Sequence, residues 1–338
     1  MKRKIELPLL EPLYSTYHGQ GIATAIITDN PSIRNWYFNQ VLMLSCTLKF
    51  LNGFTTPQVT VEGASWASSP FFDKKIYDTR FLKGYTHYVI KNLLNEGYYV
   101  CFRCVDDYYV EGKSWYHERH FAHDGCICGY DQESKKYCLY AYDNSWIFRK
   151  FWTSQKSLDA GMKAMFKKGK YDVIYGLKAK NIAVDFSYNT ALDKIEEYIN
   201  ASIWKDYDEQ EETVSGIVVH DYIAKYIEKL YDGSIPYERM DRRVFRTVWE
   251  HKKVMLERIK LIEQSLLLDT ESSTNYISVV KDADNIRMLY ASHHMKRRDE
   301  VLPIILKKLT SIKDRELEIL KNLLEKSDEK RNETMELY

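Results

Sequence analysis

The feature that most constrains this 338-residue chain is an abrupt change of composition between residues 155 and 190. Before it lie all six cysteines (Cys46, Cys101, Cys104, Cys126, Cys128 and Cys138) and most of the glycines, prolines and aromatic residues. After it come long segments of Lys, Glu, Leu and Ile at helical spacing. A chain divided in this way is expected to form an α+β region over residues 1–188 and an α-helical region over 189–338.

Within the first region, Ser32–Phe50 has Ile33, Trp36, Tyr37, Val41, Leu44 and Leu48 at helical spacing, with Pro31 suited to a first turn. The spacing predicts one continuous helix. Thr79–Asn95 reads as a second helix stopped by Gly97, and Tyr98–Tyr109 as a buried strand. His123–Tyr130 and Tyr137–Tyr142 read as two further strands joined by the polar hairpin segment 131–136. Ser157–Lys167 reads as a short helix, and Tyr171–Leu177 and Ile182–Phe186 as strands. Beyond Asn189 the pattern is helical almost throughout, in the segments Thr190–Trp204, Ser215–Tyr231, Glu238–Leu268, Tyr276–Met295 and Glu300–Lys326. Gly233 and Pro236 break that series.

Forty-nine basic residues against forty-eight acidic ones leave a formal charge of +1, which gives no electrostatic case for nucleic acid or an anionic membrane as partner. Glu6, Pro8, Glu11 and Pro12 interrupt any apolar core of an export signal, and no apolar run approaches the roughly 18 residues that span a bilayer. These features predict a cytoplasmic protein with free thiols rather than a disulfide framework. Zinc is disfavoured: on a strand, Cys101 and Cys104 would point to opposite faces.

The stretch 120–131, His-Phe-Ala-His-Asp-Gly-Cys-Ile-Cys-Gly-Tyr-Asp, and the later Asp143-Asn144-Ser145-Trp146 carry the chemistry. A His at the start of one strand and a carboxylate or amide at the end of the next antiparallel strand suit a base and its orienting partner. His123 followed by Gly129, Tyr130 and Asp131, and later by Asn144-Ser145-Trp146, resembles the His strand and Asn-Ser-Trp segment of papain. Together with residues 36–39, Trp-Tyr-Phe-Asn, and 250–255, Glu-His-Lys-Lys-Val-Met, the motifs are similar to the butirosin-biosynthesis-protein-H-like family. That resemblance implies a papain-like domain followed by helices. It further implies acyl transfer from a carrier-protein thioester to a small amine, in thiotemplated natural-product assembly, with no cofactor or metal.

On this reading His123 is the base and Asp143 or Asn144 the residue that orients it. Gln40 and Cys46 match the papain spacing of oxyanion-hole donor and nucleophile. A continuous helix would, however, place Cys46 near a C-terminus, which disfavours a thiolate. The Gly-Gln-Gly turn in His18–Ala25 is better shaped for an active-site elbow, but a nucleophile there would need a cysteine where this chain has Ala23 or Ala25. A cytoplasmic cysteine peptidase and a non-catalytic binding protein of the same shape are the alternatives. Glu250-His251 and His293-His294 are expected to be solvated or interfacial, and the stripe Val244, Val248, Met255, Ile259 and Ile262 to pack against other helices, a carrier protein or a second copy of the chain.

Overall fold

Eleven strands and nine α-helices are formed among the residues that the computed structural model describes: 2–53, 55–82, 84–168, 173–201, 203–205 and 212–336. The strands are β1 (Lys4–Glu6), β2 (Leu44–Thr47), β3 (Val59–Val61), β4 (Phe72–Asp78), β5 (Tyr99–Asp106), β6 (Ala122–Asp131), β7 (Lys136–Tyr142), β8 (Phe148–Ser154), β9 (Val173–Ala179), β10 (Ile203–Lys205) and β11 (Glu212–Ser215). The helices are α1 (His18–Ala25), α2 (Ile33–Gln40), α3 (Thr86–Asn95), α4 (Gln155–Lys167), α5 (Tyr188–Asn200), α6 (Val219–Tyr231), α7 (Arg243–Leu266), α8 (Glu271–Lys296) and α9 (Leu302–Glu336). The fold class is α+β with an antiparallel sheet and C-terminal helices. Among the described residues no helix is long and apolar enough to cross a membrane.

The chain divides into two compact units, residues 1–33 with 64–183, and residues 34–63 with 184–338. The change of composition predicts one boundary at 188/189, whereas in the structure residues 34–63 belong with the C-terminal helices.

In the first unit a seven-stranded antiparallel sheet runs β4-β9-β5-β6-β7-β8, and β1 pairs with the end of β6. Its central strands are buried along nearly their whole length, and alternation sorts their side chains between two faces. Val100, Phe102, Ile127 and Leu139 join Ile90, Leu93 and Leu94 of α3 and Leu158 of α4 in one core. Cys101, Cys126, Cys138 and Tyr140 fall on the opposite face, where α1 packs. Gly21 of α1 lies so close to the Phe148 ring that a Cβ there would stand 2.4 Å from it. These three cysteines are buried and free, as small core residues are. The strand expected at Ile182–Phe186 is absent, and Asn30 instead ties down that segment by donating to the carbonyls of Lys180 and Ile182. Of the strand expected at Tyr171–Leu177, residues 171 and 172 lie outside the described residues.

In the second unit the expected helix Ser32–Phe50 ends at Gln40 and the chain enters β2. That end is capped by Arg258, fully buried on α7, whose guanidinium donates to the carbonyls of Phe38 (2.6 Å), Tyr37 (3.1 Å) and Val41 (2.8 Å). These are carbonyls at the C-terminal end of the helix, where intrahelical donors run out, although Tyr37 still accepts from the Val41 N–H as well. β2 then lies inside a four-stranded antiparallel sheet, β10-β11-β2-β3, so the C-terminal region is not wholly helical. The stripe Val244, Val248, Met255, Ile259 and Ile262 is buried in this unit. Glu250, His251 and His293, expected to be solvated or interfacial, are buried too. Glu250 pairs with Arg246, and His251 donates from Nε2 to the Leu42 carbonyl at 2.8 Å.

Candidate functional site

The site is assembled where β5 ends and β6 begins. β5 runs out at Asp106, whose fully buried carboxylate accepts from the backbone N–H groups of Tyr108 and Phe121 and from Lys168 and His120. This carboxylate starts a 3₁₀ turn at Asp107–Tyr109 and fastens it to the chain leading into β6. Gly161 of α4 permits the arrangement, since a Cβ there would meet the Asp106 carbonyl at 3.0 Å and Val105 at 2.6 Å. A one-residue bulge in β5 between Phe102 and Val105 lies opposite Gly125 and His123, a device that re-aims side chains.

Asp107 is held inside this turn, and its Oδ2 lies 2.9 Å from Nδ1 of His123. Its Oδ1 faces the buried ammonium of Lys113 at 3.6 Å. Burial lowers the pKa of Lys113, while Asp107 and Asp124 oppose that shift. With Nδ1–H donated to Asp107, the Nε2 of His123 is left as the basic nitrogen. It lies 3.9 Å from Oδ1 of Asp124.

Asp124 is in turn gripped by His18, the first residue of α1, with Nδ1 of His18 2.9 Å from the same Oδ1. The rings of His18 and His123 meet edge to face at 4.3 Å. The tautomer of His18 is fixed by its other nitrogen, because the backbone N–H of Tyr142 donates to Nε2 at 3.1 Å. Burial pushes the His18 imidazole down to about 4, outweighing the opposing bond and charge of Asp124. His18 is therefore neutral at pH 7. For the Asp124 carboxyl, burial acts to raise the pKa, but the His18 hydrogen bond and the neighbouring His18, His123 and Lys113 hold it below its ordinary value.

His18, His123 and Asp124 are the one group among the described residues whose ligand atoms come close enough for a metal, all within 4.8 Å. The wiring of His18 speaks against that use. A metal-bound imidazole turns its second nitrogen, as N–H, towards an acceptor, and here the second nitrogen faces a donor. The proton belongs on Nδ1, so the trio is arranged to hold protons. The cysteines do not enter this group.

Beside it opens a cavity of about 400 Å³ lined by Ser65, Trp66, Cys101, Arg103, His123 and Asp124, among others. Gly19, in the first turn of α1, borders the same wall. A Cβ there would lie 3.8 Å from Ser65 Cβ and 3.9 Å from Trp66 Nε1, which is ordinary contact.

The residues expected from sequence are distributed differently. His123 is at the site, but Asp143 does not orient it. The Asp143 carboxylate closes the β7–β8 turn, accepting from the N–H groups of Ser145 (2.8 Å) and Ile147 (2.9 Å) and from Arg149. Burial would raise its pKa, and those donors hold it below its ordinary value. Asn144 is exposed beside it. Cys46 lies in the second unit, fully buried in β2, with its thiol pushed up to about 12 by burial; that is a packing cysteine, not a thiolate. Gln40 is exposed at the end of α2 and shares no site with it. Ala23 and Ala25 are fully buried within α1, and the expected elbow is that helix. Asp107, Lys113, Asp124 and His18 are not among the residues expected from sequence; the signal for the first is the Asp-Asp pair near the end of the expected strand Tyr98–Tyr109. No family model matches the chain, and no curated protein matches it.

Proposed function

We propose that this chain is an acyl-transfer enzyme on a papain-like domain, in which His123 is the general base for attack of an amine on a carrier-protein thioester. The observation that carries this reading is the His123–Asp107 pair, braced by Lys113 and set against a cavity large enough for a small substrate. The amine nitrogen attacks the thioester carbon as Nε2 of His123 takes its proton. The new N–C bond forms, the C–S bond breaks, and the thiolate leaves with the proton that His123 returns. The imidazolium formed in between is stabilised by Asp107 on one side and Asp124 on the other. A thioester supplies its own activation, so direct attack by the amine serves in place of a Cys46 acyl-enzyme.

The test is the rate of amide formation from a model acyl thioester and an amine, followed by mass spectrometry. His123→Gln is expected to lower it by roughly 100-fold or more, and an unchanged rate would overturn the reading. A second reading, a binding protein that keeps the papain-like shape, is favoured by one observation. The first turn of α1, where such enzymes carry a nucleophilic cysteine, holds His18, Gly19 and Gln20. That reading predicts a ligand held in the cavity with no turnover.

A further inference from the structure

We infer that Asp124 is the recognition residue for a primary ammonium group, and that the ligand class of the cavity is a small monocationic amine. The inference rests on the proposed base role of His123 only in naming that amine as the acceptor; the binding site itself is argued from charge and geometry. Asp107 has its charge answered by Lys113 at 3.6 Å. Among the described residues, the ion pairs of Asp124 are with imidazoles alone, His18 at 2.9 Å and His123 at 3.9 Å. His18 cannot answer a charge, because the Tyr142 N–H occupies its Nε2 and the ring is neutral. The Lys113 charge reaches Asp124 as well, but its ion pair is with Asp107; when His123 is neutral, Asp124 brings a negative charge to the cavity wall.

The geometry gives that charge a direction. One carboxylate oxygen, Oδ1, is spent on His18 and faces His123, and the side chain as a whole is 41% exposed. His18 is a positioning residue: 3% exposed and locked in one tautomer, it fixes the rotamer of Asp124 and leaves Oδ2 for a ligand. An ammonium on Oδ2 would stand beside Nε2 of His123, through which one ammonium proton passes to solvent before the neutral amine attacks. Trp66, in the same lining, adds an aromatic surface of the kind that favours cations. Arg103, also in the lining, counts on the other side. The balance suits a single ammonium group and opposes a polycation.

The experiment is a titration of the wild-type protein with n-butylammonium chloride, 1-butanol and sodium butyrate in parallel, read by the NMR shift of the His123 ring proton, assigned with His123→Gln. The expected result is a saturable shift with n-butylammonium alone, weakened roughly tenfold or more in Asp124→Asn. Equal binding of the alcohol, or an unchanged affinity in a folded Asp124→Asn protein, would overturn the assignment. Should Asp124→Asn fail to fold, the selectivity of the wild-type protein among the three compounds decides on its own. Selective amine binding without amide formation would sustain Asp124 and sink the proposed reaction. Amide formation with no selective amine binding would do the reverse.

Discussion

Oδ2 of Asp107 and Nδ1 of His123 lie 2.9 Å apart, and this pair, not one between His123 and the turn after β7, sets the imidazole. Asp107→Asn should leave the fold intact and turn the ring towards its other tautomer. By analogy with serine-protease triads, the expected loss in amide formation is roughly 100- to 10,000-fold. Asp143→Asn should behave in the opposite way. It removes the charge on which Arg149 and two N–H groups converge, costing about 1–3 kcal/mol of stability in urea denaturation, with a much smaller effect on turnover. Equal kinetic effects of the two variants would refute the assignment.

How much of this was legible in the sequence differs residue by residue. The helix-to-strand order from α3 to β7 follows from periodicity, and His123 follows from its place at the head of a strand. Its partner did not follow, because β5 and β7 flank β6 and each is followed by an aspartate, Asp107 and Asp143. Only the bulge in β5 and the cap made by Asp106 bring Asp107 within reach. The end of α2 inside the expected 32–50 helix is capped by Arg258, more than two hundred residues later, whose guanidinium holds the α2 carbonyls. No local pattern carries that information. The β2–β11 pairing, Cys46 opposite Val214, is hidden for the same reason.

Cys46→Ala should cost about 1–2 kcal/mol in chemical denaturation, the usual effect of trimming a fully buried side chain. Amide formation should be unchanged. A loss of turnover at unchanged stability would return Cys46 to the reaction.

Gly19→Cys tests what the first turn of α1 can support. The position has room for a Cβ beside Ser65 and Trp66, and a helix N-terminus lowers a thiol pKa. The variant should fold and take up one more iodoacetamide label than wild type at pH 7, by intact mass. The extra labelling should slow in Gly19→Cys/His123→Gln. Labelling indifferent to His123 would show that the thiol at position 19 does not meet the base.

Burial lowers the His18 imidazole from 6.5 to about 4 despite Asp124. The unfolded chain binds the proton more readily, so the contribution of His18 is fully present above pH 6.5 and is lost as pH falls towards 4. Over that window it amounts to about 3 kcal/mol. Asp124, with its carboxyl held low, loses its contribution only at lower pH. Urea denaturation between pH 7 and pH 4.5 should therefore show a shallower slope for His18→Asn. The remaining slope includes His220 of α6, which burial also lowers to about 4. Parallel curves for variant and wild type would contradict the neutral, buried state of His18.

The second unit depends on a buried pair that joins five helices. Lys252 of α7 donates to Glu316 of α9 at 2.6 Å, and both side chains are fully buried. Tyr198 of α5 and Tyr276 of α8 donate to the same carboxylate, and His220 of α6 stands 3.7 Å from it. Burial acts to raise the Glu316 pKa, and Lys252, His220 and the Tyr276 hydroxyl hold it below its ordinary value. Lys252→Met strands that charge and should cost about 3–5 kcal/mol. Adding Glu316→Gln removes the charge yet keeps an oxygen for the tyrosines, so the double variant should recover part of the loss. A double-mutant cycle in urea measures the coupling. Strictly additive effects would mean that the pair is not the joint through which these helices hold one another.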